Sequence, residues 1–153
     1  MSKLVIVLIV IGVLIGAGYL LFGQGGKFPS LPGTTPSQPT ASLPKQVEVA
    51  LDSQNNSNQL GTATLQKVDG KLVVKIVLKG QPAGSSEPAH IHQGSCPNPG
   101  VVKYPLSPVV NGASETTLNI TGDELLKLMP LAVNVHKSEA DSKTYVACGN
   151  VEL

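Results

Sequence analysis

Between Leu60 and Lys79, two runs of alternating apolar and polar residues meet at Asp69-Gly70. An Asp-Gly pair in that setting is the strongest short-range hairpin signal, because a type I′ turn needs positive φ at both central residues. In the second run Leu72, Val74, Ile76 and Leu78 point one way, while Lys75 and Lys79 help mark the wet face. The pattern continues on both sides. Gln46 to Asp52 alternates with Val47, Val49 and Leu51 on one face, and further short strands are expected at about Ala89–His92, Val101–Leu106, Thr116–Ile120, Leu131–His136 and Tyr145–Val151. The helical exception is Thr121-Gly-Asp-Glu124, a capping-box pattern ahead of Leu125 to Leu128 that Pro130 stops after about two turns. Many short strands at such spacing predict an all-β sandwich or barrel over residues 45–153.

The other end of the chain follows different rules. Leu4 to Phe22 carries no charge, and 16 of its 19 residues are apolar. As a helix it spans about 28 Å, close to a hydrocarbon core of ~30 Å. The run is longer than the apolar region of a signal peptide, and no clear Ala-x-Ala follows it. An uncleaved transmembrane signal-anchor over residues 1–22 is therefore expected. Residues 23–44 hold Pro29, Pro32, Pro36, Pro39 and Pro44 amid Gly, Ser, Thr and Gln, which predicts a semi-extended tether. Lys3 and Lys27 flank the run and orient it weakly. The two cysteines break the tie towards a C-terminal domain outside the cytoplasm, which is the expected orientation.

Charge excludes one class of partner. From Lys45 onward nine lysines face ten acidic residues, and the chain has no arginine. Without a basic stripe or a bidentate phosphate fork, nucleic acid is not expected to bind.

The three histidines all fall in strand-like segments, Pro88-Ala-His90-Ile-His92-Gln93 and Ala132-Val-Asn-Val-His136-Lys137. Positions i and i+2 of a strand share a face, so His90 and His92 project together while Ile91 turns into the core. His136 from another strand would complete a three-nitrogen set with a position open to water or substrate. Imidazole ligands suit copper or zinc, and intrinsic affinity favours Cu²⁺. Histidines that are solvated or hydrogen-bonded without a metal are the alternative on spacing alone. No CxxC, HExxH or carboxylate-rich calcium loop is present.

Cys96 and Cys148 form an even pair in a domain expected to be exported, which points to a disulfide, with two buried free thiols as the alternative. A bridge closing a loop of about 50 residues contributes about 4 kcal/mol in the chain-entropy model. It would pin the loop after the His90–His92 strand to the C-terminal strand. Glu139 and Asp141 read mainly as a solvated loop, with a contact behind a ligand imidazole as the lesser alternative. Met129 reads as core packing.

Taken together, Ala89-His-Ile-His92…Cys96, Val133-Asn-Val-His136 and Tyr145-Val-Ala-Cys-Gly-Asn150 resemble, in order, the copper/zinc superoxide dismutase family over about residues 45–153. The resemblance implies an eight-stranded Greek-key β-barrel of immunoglobulin-like architecture. It also implies copper ligation by His90, His92 and His136, and a Cys96–Cys148 disulfide. This chain has no histidine between Cys96 and His136. The family's bridging histidine and zinc site therefore have no counterpart, and one copper ion without zinc is implied. Tyr145 stands where the family carries a substrate-guiding arginine. The implied function is a membrane-tethered copper protein acting on superoxide, a small anion. A non-enzymatic copper or zinc binder, or an interaction sandwich like the chordin-type CHRD domain, are the alternatives.

Overall fold

The structure, a computed structural model, describes residues 42–153. The expected anchor and nearly all of the expected tether lie outside them. Among the described residues no helix is long and apolar enough to cross a membrane.

Eight antiparallel strands close into a barrel. They are β1 (Gln46–Ser53), β2 (Leu60–Val68), β3 (Lys71–Lys79), β4 (Ser86–Gln93), β5 (Val102–Val110), β6 (Ala113–Leu118), β7 (Leu131–His136) and β8 (Tyr145–Asn150). Among the described residues one short helix, α1 (Gly122–Leu126), lies between β6 and β7. The order around the barrel is β1-β2-β3-β6-β5-β4-β7-β8, closing back onto β1. Within it β4, β5 and β6 run as a meander and β7 returns to lie beside β4, which is the Greek-key arrangement.

The turns explain the order locally. Asp69 and Gly70 have φ of 48° and 76°, so β2 and β3 join through the expected type I′ hairpin, with Val68 opposite Lys71. A second such turn at Asn111-Gly112, with φ of 51° and 78°, joins β5 to β6. β5 accordingly runs on through Pro105 and Pro108 to Val110, four residues beyond the expected end. β4 is likewise longer than its sequence pattern predicts.

Inward alternation builds the core. Val47, Val49 and Leu51 of β1, Leu72, Val74, Ile76 and Leu78 of β3, Ile91 of β4, and Leu131, Val133 and Val135 of β7 are all buried together. The capping box forms as expected: Thr121 Oγ1 accepts from the Glu124 amide, Glu124 Oε2 accepts from the Thr121 amide, and the helix drops Leu125 into the core. Leu43, placed by composition in the tether, also belongs to the core and is 3% exposed. Its amide donates to Asp123 Oδ1.

Barrel closure depends on one glycine. A Cβ at Gly149 would lie 2.1 Å from the Ala50 carbonyl oxygen, so β8 reaches β1 only where no side chain intervenes. The Ala-Cys-Gly sequence thus places its cysteine on the outer face and its glycine at the seam.

Candidate metal centre

β7 is buried on both faces. Its inward residues fill the core, and Ala132, Asn134 and His136 on the other face are buried as well. Register defines this outer floor. His92, Ala132 and Asn150 form one cross-strand row, and His90, Asn134 and Cys148 the next. His136 follows two residues beyond Asn134 on the same face.

The three histidines converge here. Ring centroids are 5.6 Å apart for His90 and His92, 4.8 Å for His90 and His136, and 5.5 Å for His92 and His136. One nitrogen from each lies within 4.8 Å of the other two, an arrangement able to hold a metal ion. Ile91 turns inward, fully buried, as its neighbours require.

Backbone carbonyls set the tautomers. His92 Nδ1 is 2.8 Å from the Gly100 carbonyl oxygen, and His136 Nδ1 meets the Ser142 carbonyl oxygen. A carbonyl only accepts, so each Nδ1 carries the proton and each Nε2 keeps its lone pair in the neutral ring. His136 Nε2 faces His90 Nδ1 at 2.8 Å. His92 Nε2 is buried with no partner. A buried, unpartnered Nε2 lone pair on His92, in a triad whose ligand nitrogens all lie within 4.8 Å of one another, fits an imidazole-bound ion.

Two of the three imidazoles, those of His90 and His136, are held in the ligating form. Burial, then the neighbouring His136 and His92, push the His90 pKa down to about 4. Burial also lowers that of His136. Neutral imidazoles at physiological pH need not shed a proton to bind metal.

Each orienting carbonyl sits in a fastened loop. Residues 94–101 are held by the Cys96–Cys148 disulfide, by Cys96 N–H donating to Asn150 Oδ1 at 2.8 Å, and by Gly94 N–H donating to the Pro130 carbonyl. Residues 137–144 are closed by Lys137 N–H donating to the Thr144 carbonyl and by Thr144 Oγ1 donating to Asp141 Oδ1. Asp141 thus ties its own loop, with Lys137 at 3.3 Å, and the partner behind His136 is the Ser142 backbone instead. Met129 packs against the core as expected.

Two further residues lie at the site: Tyr145, which the resemblance marks only as standing in the place of an arginine, and Asn134, which is not singled out from sequence. The Tyr145 ring stands edge-on to His136 at 5.0 Å and to His92 at 6.2 Å. Asn134, fully buried on the floor, has neither Oδ1 nor Nδ2 hydrogen-bonded. Such an orphaned polar atom costs about 1–3 kcal/mol. The strand period could have placed Asn134 beside His136, but its closeness to His90 depends on the β4–β7 register.

No family model matches the sequence, and no curated protein matches it.

Proposed function

We propose that this chain is a membrane-tethered, extracytoplasmic, superoxide-dismutase-like protein that binds one copper ion through His90, His92 and His136. The observation that carries this reading is the convergence of three imidazoles, two of them locked by backbone carbonyls with Nε2 turned to the same point. Among divalent ions an all-imidazole set favours Cu²⁺. The chain has three histidines in all, so no second imidazole site is left for zinc. The disulfide suits an oxidising compartment, and the uncharged run from Leu4 to Phe22 would supply the tether.

Bound copper would supply one-electron redox chemistry, and superoxide dismutation is the reaction we assign to it. The protein's own part is to orient the imidazoles and to restrict access, with Tyr145 along the side formed by His92 and His136. Dismutation of two superoxide ions to dioxygen and hydrogen peroxide consumes two protons, which solvent on the half-exposed His90 side would provide. The domain's near-neutral charge and lack of arginine give little long-range attraction for an anion. That observation favours a second reading, a metal-handling module that binds copper without turnover.

The test is titration of the purified full-length chain with Cu²⁺, followed by EPR, beside a superoxide-consumption assay. A stoichiometric type 2 signal that disappears when the three histidines are replaced supports copper binding. Superoxide consumption by that form selects the enzyme, and its absence selects the binder. No histidine-dependent signal would sink both readings and leave a β-barrel interaction module.

A further inference from the structure

Asn134 occupies a position that an aliphatic residue would fill at lower cost, since burying a carboxamide without hydrogen bonds is unfavourable. It pairs directly with His90 on β4 and with Cys148 on β8, and it lies two residues before His136 on the same face of β7. It is therefore a neighbour of both His90 and His136 on this face of the sheet. His92 Nε2, the other unpartnered donor atom of this face, marks the same region.

Height above the sheet agrees as well. His90 faces His136 through Nδ1 rather than Nε2. Histidine Nδ1 and asparagine Oδ1 are the same number of bonds from the backbone. An ion low enough to meet His90 Nδ1 is thus within the reach of a carboxamide oxygen on the neighbouring strand. That oxygen is a neutral donor with two lone pairs, weaker than imidazole towards copper but compatible with it.

We propose that Asn134 is a fourth residue of the metal centre, its carboxamide oxygen facing the ion held by His90, His92 and His136. This inference rests on the metal-binding reading above. It adds an oxygen donor to an otherwise all-nitrogen site and accounts for a polar residue on the floor of the triad.

The experiment uses the full-length chain with Cu²⁺ and, separately, Zn²⁺ as probes, comparing wild type with Asn134→Leu and Asn134→Asp. Asn134→Leu is expected to weaken copper binding by about 10–100-fold and to change the copper hyperfine pattern in EPR. Asn134→Asp keeps an oxygen at the same place and is expected to restore affinity. The melting temperature of each metal-free variant is measured alongside. Asn134→Leu with wild-type affinity and spectrum, whatever its melting temperature, overturns the proposal while leaving the triad intact. A folded Asn134→Asp that binds as weakly as Asn134→Leu also overturns it. Wild type without a histidine-dependent metal signal overturns this inference together with the reading beneath it.

Discussion

His90 on β4 and His136 at the end of β7 meet across the strand pair, with His90 Nδ1 2.8 Å from His136 Nε2. Because the Ser142 carbonyl holds the proton of His136 on Nδ1, His136 Nε2 can only accept. In the metal-free protein His90 therefore donates through Nδ1. For both nitrogens to face an ion, His90 must carry its proton on Nε2 instead of Nδ1, a change of tautomer that leaves the ring neutral.

Replacing one of these imidazoles should therefore reduce affinity more than replacing a supporting group. We expect His90→Ala or His136→Ala to weaken copper binding beyond the roughly 10–100-fold that loss of an outer partner costs. Competition against a chelator of known affinity reads this directly. Wild-type affinity in either variant would remove that histidine from the ligand set.

Burial of His90, and then the neighbouring His136 and His92, give the metal-free barrel a pH signature. The folded pKa of His90 is about 4, below its ordinary value of 6.5. A lowered folded value means that the unfolded chain binds the extra proton first, so stability rises with pH in that window. The contribution is complete above about 6.5 and is lost as pH falls towards 4. His136, also lowered, acts in the same direction. Urea unfolding from pH 7.5 to 4 should show the decline, and His90→Gln should flatten it. A pH-independent wild type would contradict the shift.

How far the sequence anticipates all this depends on the range of each interaction. Period-two alternation and Asp69-Gly70 are local, and β2, β3 and β7 have the expected bounds. Pro105 and Pro108 obscured the end of β5, although Asn111-Gly112 carries the same turn signal as Asp69-Gly70. The triad was legible because its chemistry lies in side chains, and the strand period sets His90 beside His92. Its supports were not. Gly100 and Ser142 act through carbonyls that any residue offers, and Asn134 is placed beside His90 by strand register.

The disulfide should couple stability to the metal site. Cys96→Ser with Cys148→Ser removes a bridge across a separation of 52 residues, worth about 4 kcal/mol in the chain-entropy model. It also loosens the loop whose Gly100 carbonyl orients His92. We expect a lower urea midpoint and weaker copper binding, the latter recovered only in part at low temperature. Unchanged copper affinity in a folded double variant would show that the loop holds its shape through backbone contacts alone.

Glu87 supports the far end of β4. It is 1% exposed, with Gln59 Nε2 donating to Oε1 at 2.8 Å and Gln81 Nε2 to Oε2 at 3.0 Å. Gln81 in turn donates to the Val109 carbonyl and accepts from the Gly112 amide, so the network ties β4 to the β5–β6 turn. Glu87→Gln turns one acceptor into a donor facing a donor. We expect a loss of about 1–3 kcal/mol in urea unfolding, with metal affinity unchanged. A neutral result would mean that the two glutamine amides find other acceptors.

Leu43 tests where the folded unit begins. Its side chain packs over Gly122, where an added Cβ would lie 2.6 Å from Leu43 Cδ2, and its amide is held by Asp123 Oδ1 at 3.1 Å. Lys67 reaches the same carboxylate oxygen at 3.1 Å, but that pair is exposed and contributes little. The apolar contact therefore dominates. Leu43→Ala should cost about 2–5 kcal/mol, seen as a lower urea midpoint with an unchanged slope. Removing residues 1–44 should lower the midpoint relative to removing residues 1–41, by at least as much as Leu43→Ala. Equal midpoints for the two truncations would show that the barrel is complete without Leu43 and that the segment before β1 only rests on its surface.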